Sequence, residues 1–231
     1  MTSLRHISAL IALLLAARSA AAFANEGEWV SYRDAYRTMV MFEKYGKPKN
    51  FLQNHLQVMA REKGVTIEGM QLTLSTKTMQ VSMPLDATGR AVFPLLKSAY
   101  DENAELVINR KAGPYVFRSR VSIVVRADGV YEMADLRAAC EQALNYQRYV
   151  DASARARRCA GVRFAFAHKG ADVVLKVRGG GIEAVLPMSD GAAFPDDPNE
   201  AFRVTTVHFG DADKGQVVTQ NAPLSIAAIL E

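Results

Sequence analysis

Apolar and polar residues alternate in two stretches of this chain that match one another position by position. In the first, Met70-Gln71-Leu72-Thr73-Leu74 is followed by four turn-forming residues and then by Met79-Gln80-Val81-Ser82-Met83-Pro84. In the second, Val173-Val174-Leu175-Lys176-Val177, Arg178-Gly179-Gly180-Gly181 and Ile182-Glu183-Ala184-Val185-Leu186-Pro187 follow in the same order. Leu72 falls on Leu175, Leu74 on Val177, Met79 on Ile182, Met83 on Leu186 and Pro84 on Pro187, without a gap. A period of two marks a half-buried strand, so each stretch predicts a hairpin. The likeness continues through Asp86, Gly89 and Phe93-Pro94 in the first stretch, and through Asp190, Gly191 and Phe194-Pro195 in the second. Further on, Glu105 to Ile108 has a rough counterpart in Phe202 to Val207, and Val121-Ser122-Ile123 in Leu224-Ser225-Ile226. Two copies of one β unit are the expectation.

Elsewhere the period is helical. Ser31 with Asp34 three residues later opens a helix over 31–45, whose apolar face is Tyr36, Met39, Val40 and Phe42. Gly46 and Pro48 stop it and start a second helix running to Lys63, with Phe51, His55, Val58 and Met59 on one face and Gly64 at its end. Met133, Leu136, Cys140, Ala143, Leu144 and Gln147 repeat at helical spacing between the two β copies. Tyr115 to Val125 reads as a long strand, and Pro84 and Pro94 mark strand ends or an edge. The expected class is α+β, mainly antiparallel β. Two related β-sandwich-like units, residues 65–130 and 161–231, flank a helical insert at 131–160 that carries a disulfide. A helical hairpin at 25–64 precedes them.

The first 24 residues read as an address rather than as structure. Arg5 and His6 precede an apolar run from Ile7 to Ala17, and Ala22 and Ala24 flank Phe23 as a cleavage pair. That is the form of a secretory signal peptide, with cleavage after Ala24 favoured over Ala22. The apolar run of about eleven residues falls short of the roughly 18–20 that span a bilayer. No later segment is long and apolar enough either. The expected location is the periplasm or outside the cell, as a soluble chain. The formal net charge of +4 falls by two on processing, because Arg5 and Arg18 leave with no acid. So small a balance does not point to nucleic acid.

Export changes the reading of the cysteines. Cys140 and Cys159 are the only two, and an even count in an oxidising compartment predicts one bond between them. A continuous helix from 140 to 159 would hold their Cα atoms about 28 Å apart, whereas a disulfide needs about 4.4–6.8 Å. The helix must therefore stop near Tyr149–Ala152 and the chain double back.

Candidate chemistry is sparse. His55, His168 and His208 share no metal-ligand spacing, so no metal and no cofactor are expected. His168 and His208, at strand ends, with Asp190, are the candidates for an acid–histidine site. The Asp211-Ala-Asp213 turn and the Asp196-Asp197 pair read as turn residues. Gly179-Gly180-Gly181 precedes a strand rather than a helix, so it is a hairpin turn and not a phosphate loop. No G-x-S-x-G elbow occurs. Arg148, Arg155, Arg157, Arg158 and Arg163, near Tyr146 and Tyr149, form the densest basic stretch and a candidate anion site. These features favour an exported, non-catalytic binding or envelope-associated protein. Its partner would be a polysaccharide, an anionic envelope component or another envelope protein. The alternative is an extracytoplasmic hydrolase without a known motif. A polar cleft between the two copies would mark binding; a dry, filled junction would mark scaffolding.

Overall fold

The computed structural model describes residues 26–231 except 28, 63, 64, 66, 68, 110–113, 169–172 and 211–213. The expected leader and the turn expected at 211–213 thus lie outside the described residues. The first half contains β1 (Glu26–Gly27), β2 (Trp29–Ser31), α1 (Tyr32–Lys44), β3 (Leu52–Ala60), β4 (Gln71–Ser75), β5 (Gln80–Pro84), β6 (Arg90–Ala91), α2 (Lys97–Asp101), β7 (Glu105–Ile108) and β8 (Tyr115–Ile123). The second contains β9 (Val130–Glu132), α3 (Met133–Val150), a short 3-10 turn (Ala152–Ala156), β10 (Cys159–Ala167), β11 (Leu175–Gly179), β12 (Ile182–Val185), β13 (Ser189–Gly191), β14 (Phe202–His208), β15 (Gln216–Thr219) and β16 (Ser225–Leu230). The class is α+β and predominantly antiparallel β, as expected. No helix among the described residues is long and apolar enough to cross a membrane.

The strands form three sheets. One small sheet has the order β2-β7-β4-β5, a second β9-β15-β11-β12, and a large sheet runs β13-β14-β10-β16-β8-β3-β6 with β1 paired to β8. The two small sheets agree in register as well as in order. Ser75 faces Gln80 on one side and Glu105 on the other; Arg178 faces Glu183 and Gln216. In each small sheet one end strand runs directly into a helix, β2 into α1 and β9 into α3. The amide of the first helical residue then bonds the carbonyl just before the sheet's second strand: Tyr32 to Ala104 at 2.9 Å, and Met133 to Gly215 at 2.9 Å. By this register the counterpart of β7 is β15, not residues 202–207. Those belong to β14, which lies beside β10 in the large sheet where β6 lies beside β3.

Three apolar cores follow among the described residues, the smallest of them made of Ala165, Ala193, Phe194, Phe202, Val204 and Ala227. The first joins Tyr32 and Met39 of α1, Leu72 and Leu74 of β4, and Leu56, Val58 and Phe117 of the large sheet. The second joins Leu136 and Cys140 of α3, Leu175 of β11, Val217 of β15, and Val162 and Phe164 of β10; Phe42, Leu52 and Ile123 enter it from the first half. The helical hairpin expected at 25–64 is half absent. α1 forms, but residues 52–60 are β3, paired with β8 over nine positions from Leu52↔Ile123 to Ala60↔Tyr115. Leu52 and Leu56, four apart, satisfy either period. The nine-residue ladder and the burial of Leu56, Val58 and Ala60 on one face decide for the strand. Lys49 ends α1 by donating to the carbonyls of Phe42 and Glu43.

The disulfide is formed. Cys140 on α3 and Cys159 at the start of β10 are bonded, with Cα atoms 6.0 Å apart. α3 ends at Val150 and the 3-10 turn reverses the chain, as the geometry of the bridge requires.

Candidate functional site

The alternation of β3 and β8 places polar residues on the face away from α1. Gln53, His55 and Gln57 stand opposite Ser122, Arg120 and Arg118, and Arg90 of β6 is opposite Gln57. The turn before β6 is built on Asp86, whose Oδ1 accepts from the amides of Thr88 (2.8 Å) and Arg90 (2.9 Å). Gly89 closes it at φ 78°. This aims the Thr88 carbonyl at the Gln57 amide, 3.0 Å away.

Onto this face folds a loop of the second half. Asp196 accepts from Arg118 at 2.9 Å and from Arg120 at 2.8 Å. Asp197 accepts from Arg120 at 2.8 Å, from Gln57 at 2.9 Å, and from Arg118. Gln57 is completely buried and fully used: its Oε1 accepts from Arg118 (3.1 Å) and Arg120 (2.7 Å). The Phe194 ring lies under the guanidinium of Arg120, 4.4 Å from its centroid, and near that of Arg90 at 5.5 Å. Arg90 is itself buried and donates to Leu224 of the second half at 2.6 Å. Burial pushes the Asp197 carboxyl up to about 6; the Arg120 charge and the Gln57 bond pull it part of the way back. Burial, and then the Arg90 charge, hold the His55 imidazole below its usual value. The cluster is a polar clasp across the halves, in which each charge has partners.

Beside the clasp is a cleft. β8 and β16, the closing strands of the two halves, share one register pair, Ile123↔Ile226. Beyond it they part around a space of about 360 Å³. Arg120, Val121 and Ser122 form one wall, Ala227, Ala228 and Leu230 the other. Ala143, Tyr146 and Gln147 of α3 lie above, Phe194 to Asp196 below, and Arg157 also lines it. Tyr146 packs edge-on to Tyr45 and Phe42, with centroids 5.3 Å apart in each case. Burial, with Tyr149 beside it, pushes its phenol up to about 12, so it is neutral at physiological pH.

The basic stretch divides in two. Arg148 is turned back onto the chain, donating to the Arg157 carbonyl at 2.5 Å and to Ala154 at 3.5 Å, and Arg163 donates to Ala192 at 3.4 Å. Arg155, Arg157 and Arg158 are exposed. Of the acid–histidine candidates, His168 and Asp190 come together and His208 does not. His168 Nδ1 is 3.6 Å from Asp190 Oδ1, on the rim of a basin of about 530 Å³ shared with Asn199, Glu200 and Phe202. Arg203 bonds Asp190 at 2.8 Å and holds its carboxyl below the usual range. His208 is five residues beyond Arg203 along β14, about 17 Å away at strand rise. The described lining of the basin has no serine, threonine or cysteine. Among the described residues no three His, Cys, Asp or Glu are grouped to hold a metal.

Sequence reasoning missed Gln57, Arg118 and Arg120. Arg118-Ser119-Arg120 is itself a signal, since two arginines at i and i+2 in a strand share a face. Comparison with protein-family models, with characterised proteins and with solved structures finds no match to this chain.

Proposed function

We propose that the protein is an exported, non-catalytic binding module of the cell envelope, and that its ligand sits in the cleft where the two halves meet. The observation that carries this reading is the cleft itself. It is walled by both halves, has polar groups at its rim, and lies beside a polar clasp that fixes its geometry. Preformed concave sites with a few placed polar groups are the usual form of a ligand seat. The matching order, register and closing hydrogen bonds of the two small sheets support a duplicated ancestral unit. In that reading the seam is the junction of the two copies. The exposed Arg155, Arg157 and Arg158 favour an anionic ligand. The hydrolase alternative has His168 and Asp190 in its favour and lacks a placed nucleophile among the described residues.

The test is an NMR titration of residues 25–231 with citrate, a galacturonate trisaccharide and a glutamate-centred pentapeptide. The expected result is a saturable shift of amides in 119–123, 143–147 and 227–230 with at least one probe. Saturation elsewhere, or with none of the three, contradicts the reading. So does turnover of an ester or glycoside substrate that is lost in His168→Ala.

A further inference from the structure

We propose that the cleft receives an extended, acidic polypeptide segment of a partner protein, which adds as a strand between β8 and β16. This rests on the seam being the ligand seat, and it names the class of ligand.

Ladder parity fixes which backbone groups face the cleft. In antiparallel pairs, alternate residues direct both N–H and C=O to the same neighbour. The Val124 amide bonds the Phe51 carbonyl at 2.9 Å, and residues 124 and 51 continue the β3–β8 register. Ser122, Arg120 and Arg118 therefore give their backbone groups to β3, while Ser119 and Val121 point the other way. The Phe209 amide bonds the Ala160 carbonyl at 3.0 Å, in register with β10 and β14. From Gly161 onward, past the register shift at Cys159, the even residues of β10 thus serve β14 and the odd ones serve β16. Since Ala227 faces Arg163, Ala227 is engaged with β10 and Ala228 and Leu230 point away from it. Ser119 and Val121 on one lip and Ala228 and Leu230 on the other aim their donors and acceptors into the same space. Among the described residues no strand pairs with them there; β1 meets β8 at Tyr115 and Val116, and β16 meets it at Ile123.

An extended backbone carries donors and acceptors on both sides and can satisfy both lips at once. A small anion cannot. Charge selects the segment. Arg157 is exposed and lines the cleft, and Arg155 and Arg158, close to it in sequence, are exposed too. The acid in the lining, Asp196, is held by Arg118 and Arg120. The side chain of the incoming strand that meets Arg157 is therefore acidic.

The experiment uses residues 25–231 and pentapeptides with glutamate at the centre and valine, threonine, phenylalanine or alanine on each side. Affinity and amide hydrogen exchange are read together. The proposal expects saturable binding by members of the set, with slower exchange at Val121 and Ala228. Methylating alternate peptide amides is expected to weaken binding by about ten-fold or more, because strand donors are lost. Replacing glutamate by glutamine is expected to weaken it about three-fold, and this difference disappears in Arg157→Gln. Equal binding of the methylated peptides, or binding without protection of Val121 and Ala228, overturns the proposal. If citrate or the galacturonate fills the cleft and no peptide does, the strand proposal falls and the ligand-seat reading stands. If none of the probes perturbs the cleft, both fall.

Discussion

Gln57 donates a 2.9 Å hydrogen bond to Asp197, a residue 140 positions away in the other half of the chain. It also accepts from Arg118 and Arg120, so one buried neutral side chain lies between two guanidiniums and a carboxylate. Gln57→Leu leaves those charges short of partners in a dry place. The expected loss is about 2–4 kcal/mol, measured by urea unfolding. A change under about 0.5 kcal/mol would show that Gln57 contributes nothing to stability.

Acid should act on this face in two opposite ways. The folded-state carboxyl of Asp197, at about 6, lies above its unfolded value near 3.9. The folded state therefore holds this proton more tightly, and its contribution raises stability as pH falls from 7 to 4, by at most about 3 kcal/mol. His55 is depressed, so the unfolded chain takes up its proton first and stability falls as pH drops below about 6.5. In Asp197→Asn the gain on acidification should vanish; in His55→Gln it should grow. Urea midpoints across that range check both signs, and a carbon-13 titration of the Asp197 carboxyl should have its midpoint near 6.

Gly89 holds φ 78°, and a Cβ there would stand 2.3 Å from the Val58 carbonyl oxygen. Its own carbonyl accepts from the Val58 amide at 2.8 Å. Gly89→Ala is expected to cost at least about 1–3 kcal/mol and to displace the Thr88 carbonyl from Gln57. Thermal unfolding reads the first effect and the Gln57 side-chain amide resonance the second.

The bridge from Cys140 to Cys159 closes a loop of 19 residues in separation. Replacing both cysteines by serine should lower stability by about 3 kcal/mol on the chain-entropy account. An unchanged unfolding midpoint would contradict that account.

The sequence carried the hairpins, α1, α3 and the bridge, because each rests on local pattern or on chain geometry. The hairpin over 70–84 and its partner over 173–187 share loop length, phase and closing proline. The clasp was hidden by one misread segment. Taken as a helix, Leu52 to Ala60 scatters Gln53, His55 and Gln57 around a cylinder; as a strand it lines them up opposite Arg118 and Arg120. Asp196 and Asp197 read as turn formers because their partners lie more than 70 residues away in sequence. The cleft was not legible at all. It depends on where β8 and β16 cease to pair, and no local pattern in either strand records that.

Amide exchange in the unliganded protein tests the open seam most directly. The backbone groups of Ser122 and Ala227 are directed at β3 and β10, whereas those of Val121 and Ala228 are aimed into the cleft. The account predicts that Val121 and Ala228 exchange at least about a hundred-fold faster than Ser122 and Ala227. Equal, strong protection at all four would mean that β8 and β16 are joined along their length, and would contradict it.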